Sequence, residues 1–443
     1  MELLAWIAYP TLALLALGQA ALLALQTWEH RRYARSCTRR IGDLTATGRA
    51  AVLAPCKGLD VSMAENLRAL FCQDYADYEL RFIVESGDDP AVAVIRQVTA
   101  EYPEVDARIV VAGRATDCGQ KVHNLRAGTA GLSPEIEYLA FVDSDAGPRP
   151  EWLRTLVARL AESDRTAAVT GYRWLVPERP TLANCLLYSI NSGVMTLFGR
   201  SSHYLVWGGS WGIRRETFEA IGLREAWAGT LSDDLVATRE LRRAGRRVRF
   251  EPGCVVGSPV DYSLADVFRF VRRQYLVGRY YTPGWWRFAL AATTLSALAW
   301  LGNLAAIAAA WMYGILPLWL PLGVTAVLYA LSVQRGWVRQ SLVETYFPKR
   351  DRKSSSGTAR TVLCNEDSRP LYVRFDIWAN PLGALAGWLG VLGSLVGRRI
   401  TWRGISYRML PGGRIGAVER RGAPAPPAHD PKTHRPAAYR KAG

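Results

Sequence analysis

Three long uncharged apolar stretches interrupt a chain that otherwise reads as a soluble domain. They cover 3–28, 288–334 and 377–397, whereas 31–286 mixes charged and apolar residues. An apolar run of 18 or more residues is long enough to cross the hydrocarbon core of a bilayer as a helix. The pattern therefore predicts an integral membrane protein with one large polar domain, and it excludes a wholly soluble protein.

The first stretch predicts a retained transmembrane anchor at 1–29. It lacks a basic leader, and its apolar part is longer than that of a signal peptide, which is the alternative. Basic residues beside a span favour the cytoplasmic side. Five arginines lie immediately after this stretch: Arg31, Arg32, Arg35, Arg39 and Arg40. The polar domain, 30–261, is therefore expected in the cytosol, at a cell inner membrane or, in a eukaryote, at a Golgi or ER membrane.

The second stretch, 288–334, is long enough for two crossings, and Gly314 and Pro317 break it near its middle. It predicts a transmembrane hairpin that returns to a cytosolic loop at 335–376. The third stretch, 377–397, predicts either a further transmembrane helix or a re-entrant one. A full crossing would leave the basic residues that follow it outside, against the positive-inside rule.

The remaining segments have mixed patterns. Residues 262–287 combine aromatic side chains with arginines, which predicts an amphipathic helix at the bilayer surface. Residues 181–198 are apolar but interrupted by polar groups, so we expect a buried or membrane-facing helix rather than a span. The last segment, 398–443, is basic and rich in proline, and we expect a disordered tail.

The charge balance agrees with a membrane location. The 443 residues include 55 Lys+Arg and 39 Asp+Glu, which gives a formal net charge of +16, while the mean hydropathy is zero. Much of the surplus arginine flanks the apolar stretches, so we expect no nucleic-acid partner. The seven cysteines form no CxxC pair, which is typical of a reduced domain without a zinc site or disulfide framework. Nothing in the sequence indicates an oligomeric state.

Short apolar runs alternate with amphipathic segments in the polar domain. Strands are predicted at 51–54, 78–84, 107–111 and 138–142, and helices at 63–71 and 91–102. This alternation predicts a parallel, doubly wound sheet. Ligands of such sheets bind beyond the carboxyl ends of the strands. Glu85 and the Asp143-Ser144-Asp145 segment lie at such ends.

Asp143 and Asp145 directly follow a predicted strand, so their carboxylates are expected to project into a loop. Two carboxylates one residue apart can share a hard divalent cation, which in turn neutralises a diphosphate. The alternative is a turn with solvated acids. A second acid pair, Asp233 and Asp234, precedes a predicted helix at 235–243, where the helix dipole favours negative charge.

The order of these motifs resembles that of family 2 glycosyltransferases, and most closely the ceramide glucosyltransferase branch. The match runs from about residue 50 to about residue 410. Its main motifs are Lys57-Gly58-Leu59-Asp60, Gln120-Lys121-Val122-His123-Asn124, Asp143-Ser144-Asp145, Gly208-Gly209-Ser210, Ser232-Asp233-Asp234, Arg272-Arg273-Gln274 and Trp402-Arg403-Gly404. The resemblance implies an α/β GT-A fold, with a Rossmann-like mixed sheet, attached to transmembrane helices.

The resemblance also implies an activity. It is that of a membrane-bound, metal-dependent, inverting glycosyltransferase that moves a glucose-type sugar from a nucleotide-diphosphate sugar to a lipid hydroxyl. The expected partners are a UDP-sugar, a ceramide-like or other membrane lipid and the bilayer, and the expected cofactor is Mg²⁺ or Mn²⁺. Two alternatives stay open, a processive polysaccharide synthase and a non-catalytic relative that binds nucleotide or lipid.

Residue roles follow from the same resemblance. Asp234 matches the third aspartate of the family and is expected to be the catalytic base, with Asp233 tuning its pKa. Asp143 and Asp145 are expected to bind the metal. The donor-binding residues are expected to be Lys57, Glu85, Lys121, Asp143, Arg273 and Arg279, and Gly208 and Gly209 are expected on the acceptor side.

The chain departs from the family pattern at two places. Ser86 occupies the position of the aspartate that contacts the base, so Glu85 is expected to accept a hydrogen bond from uracil instead. Leu276 and Val277 occupy the Arg-Trp positions of the interface-helix motif, and Arg279 is expected to reach the diphosphate in their place. The missing Arg-Trp pair counts against processive synthesis.

Overall fold

The structure is a computed structural model that describes residues 2–201, 204–347 and 370–420. In chain order its strands are β1 (Arg49–Pro55), β2 (Tyr78–Val84), β3 (Asp106–Val111), β4 (Ile136–Val142), β5 (Thr166–Thr170), β6 (Arg173–Pro177), β7 (Ser210–Arg214), β8 (Arg247–Phe250), β9 (Val256–Val260), β10 (Arg399–Trp402), β11 (Ile405–Met409) and β12 (Ile415–Arg420). Its helices are α1 (Glu2–Thr38), α2 (Met63–Phe71), α3 (Ala91–Ala100), α4 (Gln120–Gly128), α5 (Trp152–Ala161), α6 (Leu182–Met195), α7 (Arg215–Ala220), α8 (Leu223–Ala226), α9 (Asp233–Arg243), α10 (Leu264–Tyr281), α11 (Pro283–Tyr313), α12 (Trp319–Tyr346), α13 (Leu371–Trp378) and α14 (Asn380–Gly393).

Seven strands form one mixed sheet in the order β3-β2-β1-β4-β7-β5-β8. The first four in this order are parallel neighbours, as the alternation of strands and helices predicts. β7 is antiparallel to both β4 and β5, so the parallel pattern predicted from the strands of 51–142 does not continue into this half. The reason is that β7 begins at Ser210 opposite Val142, the end of β4, and a strand that starts at that edge must run back. The α/β fold with a mixed sheet, implied by the resemblance, is confirmed.

Helices cover both faces of the sheet, and this explains why its central strands are continuous apolar runs. The two faces carry separate buried clusters. On one face α2, α3 and α5 pack against the sheet through residues such as Leu67, Ile95 and Leu156. On the other face α4 and α9 do so through Val122 and Val236. The N-termini of α4 and α9 therefore lie on the same side of the sheet.

Two of the described helices are long and apolar enough to cross a membrane, the Ile7–Thr38 part of α1 and the whole of α11. α11 and α12 pack against each other, and α11 ends at the left-handed Gly314, where the sequence predicts the break of a hairpin. α14 has 14 residues. At about 1.5 Å per residue it is about 21 Å long, shorter than a hydrocarbon core of roughly 30 Å. Its length favours the re-entrant alternative for the third apolar stretch.

The segment expected to be a cytosolic loop, 335–376, is helical at both ends. α12 continues to Tyr346 and α13 begins at Leu371. A buried ion pair of 2.8 Å between Arg339 and Asp376 holds these helices together. The middle of this segment, which contains Cys364, lies outside the described residues, and the six described cysteines are free thiols.

The expectation of a disordered tail is wrong for 398–420. β10, β11 and β12 form an antiparallel sheet there, in which Tyr407 is fully buried. Ile400 and Met409 join the same core cluster as α4 and α9. The segment is basic overall, and this composition led to the prediction of disorder. Its apolar and polar residues nevertheless alternate, which is sufficient for a sheet buried on one face. The rest of the predicted tail, 421–443, lies outside the described residues.

Candidate active site

The candidate site lies where β4 ends and where α4 and α9 begin. Lys121, in the first turn of α4, places Nζ 2.8 Å from Asp143 Oδ1 and 3.2 Å from Asp233 Oδ1. The same ammonium donates a hydrogen bond of 3.1 Å to the carbonyl oxygen of Gly208. Three residues that the sequence predicts for the same site, from three separate segments, are thus within contact distance of Lys121.

Asp233 is the buried member of the second acid pair. It is 3% exposed, and its Oδ2 has no hydrogen-bond partner among the described residues. Burial raises the pKa of Asp233 to about 7; the ammonium of Lys121 opposes this rise, whereas the charges of Asp234 and Asp143 add to it. The site therefore contains a carboxyl group that changes its charge near neutral pH.

Asp234 faces the glycine loop that precedes β7. Its Oδ2 accepts a hydrogen bond of 3.0 Å from the amide of Gly208, and its Oδ1 accepts one of 2.7 Å from the amide of Leu235. The hydroxyl of Ser232, the N-cap of α9, also donates to Oδ1. The acid thus stabilises the start of a helix, as the helix-dipole interpretation predicts, and it also lies beside the glycine loop of the candidate site.

Gly208 and Gly209 allow the loop to approach these charged groups closely. A Cβ atom at Gly208 would lie 3.0 Å from both Asp234 Oδ2 and Lys121 Nζ, and one at Gly209 would lie 3.2 Å from Asp143 Oδ2. Any larger residue at Gly208 would have to displace one of these groups.

The two carboxylates expected to bind metal have different partners. Asp145 accepts two hydrogen bonds, of 2.6 and 2.8 Å, from Nη1 of Arg173, while Asp143 is paired with Lys121. Burial raises the pKa of Asp145 although Arg173 opposes the rise. Burial acts in the same direction on Asp143, but Lys121 and Arg173 outweigh it and lower the pKa of Asp143.

These carboxylates fit a divalent cation that also binds substrate. Among the described residues no group of three or more His, Cys, Asp or Glu side chains could hold a metal ion. Mg²⁺ and its analogues are commonly bound by one or two carboxylates together with substrate phosphates. Asp143 and Asp145 supply that number of ligands, and a cation would compete with Arg173 for Asp145.

Glu85 lies at the end of β2, as predicted, and both of its oxygens have cationic partners. Lys57 Nζ is 2.5 Å from one oxygen, and the guanidinium of Arg420 is 2.6 Å from the other. Although burial acts to raise it, these two cations lower the pKa of Glu85. The residue expected to contact the base is therefore an ionised carboxylate that binds the C-terminal sheet to the edge of the site.

A family model described as Glycosyl transferase family 21 matches residues 11–353. The chain belongs to glycosyl transferase family 21. Ceramide glucosyltransferase 3 of Caenorhabditis elegans is 25% identical over 199 residues, which are 44% of this chain and 43% of that protein. The ceramide glucosyltransferase of Komagataella phaffii is 42% identical over 59 residues, 13% of this chain and 12% of that protein. The matches thus span less than half the length of these curated relatives.

A solved structure is also similar to this family 21 chain. It is a mannosyltransferase from Pyrobaculum calidifontis in complex with GDP-Man and Mn²⁺, with 20% sequence identity and a TM-score of 0.44, covering 75% of this chain and 97% of that one. The sequence-based recognition of a ceramide glucosyltransferase-like glycosyltransferase is confirmed, with 21 rather than 2 as the family number.

The two arginines predicted on the interface helix have different surroundings in this family 21 chain. The guanidinium of Arg273 lies 5.4 Å from the centroid of the Phe270 ring. Burial lowers the pKa of Arg273, and the charges of Tyr262, Arg173 and Asp145 act on it as well. Arg279 lies elsewhere. Its guanidinium donates hydrogen bonds of 2.6 Å to the carbonyl oxygens of Ser394 and of Gly397, just beyond α14.

The structure thus pairs Arg279 with the end of α14 and not with the acids of the candidate site, unlike the expectation from the sequence. The carbonyls at the C-terminal end of a helix carry partial negative charge and attract cations, and α14 ends next to Arg279. Leu276, at the family's arginine position, is fully buried in the core cluster of α4 and α9. This part of α10 serves packing, which the family motif does not indicate.

Sequence reasoning missed four charged residues of the site. Arg173 and Arg420 stand in no motif that pointed to them, because they come from β6 and β12, far from the acids in sequence. Asp60 and Arg403 stand in quoted motifs but had no predicted role. The guanidinium of Arg403 is paired with Asp60, and Asp60 accepts a hydrogen bond of 2.7 Å from the hydroxyl of Ser144.

Proposed function

We propose that this protein is a membrane-bound inverting glycosyltransferase that transfers a sugar from a nucleotide-diphosphate sugar, UDP-sugar by preference, to a hydroxyl group of a membrane lipid. The observation that carries the proposal is the convergence of Asp143, Lys121 and Asp233 next to Asp234 and the Gly208 loop. This arrangement places groups that can bind a diphosphate beside a carboxylate that can take a proton from an acceptor hydroxyl.

The donor side uses the cations and acids at the strand ends. Lys121 and Arg173 lie next to Asp143 and Asp145, where they stabilise negative charge that develops on a leaving diphosphate. Mg²⁺ or Mn²⁺, held by Asp143 and Asp145, would add Lewis-acid stabilisation of the same charge. Arg273 adds a further cation at this side.

The acceptor side is formed by Asp234 and the glycine loop. A general base must lie within hydrogen-bond reach of the hydroxyl whose proton it takes. Asp234 is less buried than Asp233 and faces Gly208, so we assign it as the base. The acceptor oxygen attacks the anomeric carbon from the face opposite the diphosphate, and Asp234 takes the proton of the acceptor hydroxyl. The bond from this carbon to the diphosphate oxygen breaks, the nucleoside diphosphate leaves with the electron pair, and the configuration is inverted.

The proposal of a lipid acceptor rests on the connection between the site and the apolar helices. The hydroxyl of Tyr281, the last residue of α10, accepts a hydrogen bond of 2.7 Å from the amide of Leu231, two residues before Asp233. The apolar helix α11 begins at Pro283. The loop that carries the acid pair is thus tied to the start of a helix that is long enough to span a bilayer.

We propose that the polar domain lies on the cytosolic side, because arginines follow the first apolar stretch and basic residues beside a span favour that side. A protease added to sealed vesicles of known orientation, with tags at the polar domain, would test this sidedness. Digestion from the luminal or periplasmic face would contradict it.

The activity is tested by incubating membranes that contain the protein with a panel of labelled UDP- and GDP-sugars. We expect one labelled lipid carrying a single sugar, identified by mass spectrometry, and loss of the product with EDTA. The Asp234→Asn variant is the control. A labelled polymer would favour a processive synthase, and no labelled product from any donor would favour a non-catalytic relative.

A further inference from the structure

The turn between β10 and β11 has an unusual backbone for its sequence. Trp402 pairs with Ile405, so Arg403 and Gly404 form a two-residue hairpin turn, with φ of 46° and 76°. Both residues lie in the left-handed region, which glycine and asparagine adopt far more readily than arginine. Arginine at this position is therefore unfavourable for the turn itself, which indicates that its side chain has a role of its own.

That side chain reaches across the carboxyl ends of the central strands. The guanidinium of Arg403 is paired with the carboxylate of Asp60 and donates a hydrogen bond of 2.5 Å to the carbonyl oxygen of Lys57. Both partners belong to the loop that follows β1. Ligands of α/β sheets bind beyond this edge, so the hairpin lies over the place where a donor would sit.

Asp60 connects Arg403 to the metal-binding motif. One oxygen of Asp60 binds Arg403, and the other accepts a hydrogen bond of 2.7 Å from Ser144, between Asp143 and Asp145. The charge of Arg403 also acts on both of those carboxylates. A guanidinium has five N–H donors, and the contacts with Asp60 and Lys57 use two of them.

The small sheet is held in this position at two further points. Arg420 of β12 pairs with Glu85 at 2.6 Å and donates to the side chain of Gln120 at 2.7 Å. The hydroxyl of Tyr407 in β11 accepts a hydrogen bond of 3.1 Å from the amide of Gln120. The hairpin is therefore docked against α4 and β2.

We infer that the C-terminal sheet forms one wall of the donor pocket and that Arg403 binds the diphosphate of the nucleotide sugar. Asp60 and the Lys57 carbonyl orient the guanidinium, and its remaining N–H groups match the oxygens of a diphosphate. This inference rests on the proposed function, and it assigns to the C-terminal hairpin a part in binding the donor.

The test compares two ligands of the full-length protein in detergent, UDP and uridine, which lacks both phosphates. Arg403→Asn removes the guanidinium but suits the left-handed turn. We expect this variant to raise the Kd for UDP about tenfold, as for the loss of one charge-assisted contact, and to leave the Kd for uridine within about twofold. Arg403→Lys keeps a cation beside Asp60, so it should raise the Kd for UDP by less than Arg403→Asn does.

The matched control is Arg399→Asn in the neighbouring strand. Arg399 is exposed and paired with Glu419 at 3.2 Å, so its loss should change neither Kd. Equal weakening of UDP and uridine in Arg403→Asn would show that Arg403 only holds the hairpin in place, and unchanged UDP binding in both Arg403 variants would also overturn the inference. If the unmodified protein binds neither UDP nor uridine, the proposed function itself is contradicted. This outcome is distinguished from the others because it is measured without any variant.

Discussion

Lys121 Nζ and Asp143 Oδ1 lie 2.8 Å apart and join the first turn of α4 to the end of β4. The same lysine also pairs with Asp233 at 3.2 Å. It therefore separates two acid pairs that would otherwise repel each other across the site. Opposite charges at this distance stabilise the ionised form of both partners, and burial strengthens the effect.

Replacing Lys121 with methionine removes this charge while it keeps most of the side-chain volume. We expect transfer to fall by about 100-fold, because a preorganised charge near the leaving group is lost. The measurement is kcat with saturating donor. A loss confined to KM, with kcat unchanged, would show that Lys121 serves binding alone.

Asp234→Asn tests the catalytic base. The amide has nearly the same shape but takes up no proton, and its single oxygen can accept a hydrogen bond from Gly208 or from Leu235 but not from both. We expect transfer to fall at least about 1,000-fold, within the range found for loss of general base catalysis. UDP binding should be unchanged, and the free energy of unfolding should fall by only about 1 kcal/mol for the lost amide hydrogen bond. Near-normal transfer would mean that another group is the base.

Gly208→Ala tests how closely the glycine loop approaches the charged groups. The added Cβ would lie 3.0 Å from Asp234 Oδ2 and from Lys121 Nζ, so one of them has to move. Displacement of a catalytic group by even a fraction of an ångström lowers the rate, and we expect a loss of about 10- to 100-fold in kcat.

The matched control for this variant is Gly193→Ala in α6. No atom lies within 4 Å of a Cβ atom at that position, and alanine is favoured over glycine inside a helix. The Gly193→Ala variant should therefore retain its transfer activity. Equal activity of both alanine variants would contradict the close approach at Gly208.

The raised pKa of Asp233 predicts a pH dependence of stability in the metal-free protein. Its pKa is about 7 in the folded state and close to the ordinary value of 3.8 when unfolded. The folded state therefore binds a proton more tightly, and this contribution is complete below about pH 4 and is lost as the pH rises through about 7.

One pKa unit corresponds to about 1.4 kcal/mol, so the free energy of unfolding should fall by a few kcal/mol over this range. Thermal or denaturant unfolding in EDTA between pH 4 and pH 8 measures it. Asp233→Asn should flatten this part of the profile. An unchanged slope in the variant would assign the effect to other groups.

The ion pair between Arg339 and Asp376 predicts a large effect on stability. Both side chains are buried, at 3% and 0% exposure, and Asp376 also accepts hydrogen bonds from Gln340 and Ser189. Arg339→Met leaves a buried carboxylate without its charge partner, which typically costs about 3–5 kcal/mol.

Unfolding of the purified protein in detergent measures this loss. The double variant Arg339→Met with Asp376→Leu should recover part of it, because no charge is then left unpaired. If the double variant is as unstable as the sum of the two single changes, the pair is not coupled.

Much of the polar domain could be predicted from local pattern alone. The apolar runs at 78–84 and 138–142 agree with β2 and β4, and the amphipathic run at 63–71 agrees with α2. The two strands are short, nearly continuous apolar runs, the helix is amphipathic, and all three are bounded by turn residues, so their neighbours in sequence are sufficient to define them. The direction of β7 depends on the path of the chain around the site, and no local pattern contains it.

The sequence by itself determined that acids follow the central strands and that Lys121 and the Asp233-Asp234 pair belong to the same site, because the order of the motifs carries this information. Only the tertiary structure decided which charges meet. Arg173 and Arg403 reach the acids from remote segments, whereas Arg279 binds the end of α14. The physical reason is that an ion pair depends on distances in space, and these are set by how helices and strands pack and not by their spacing along the chain.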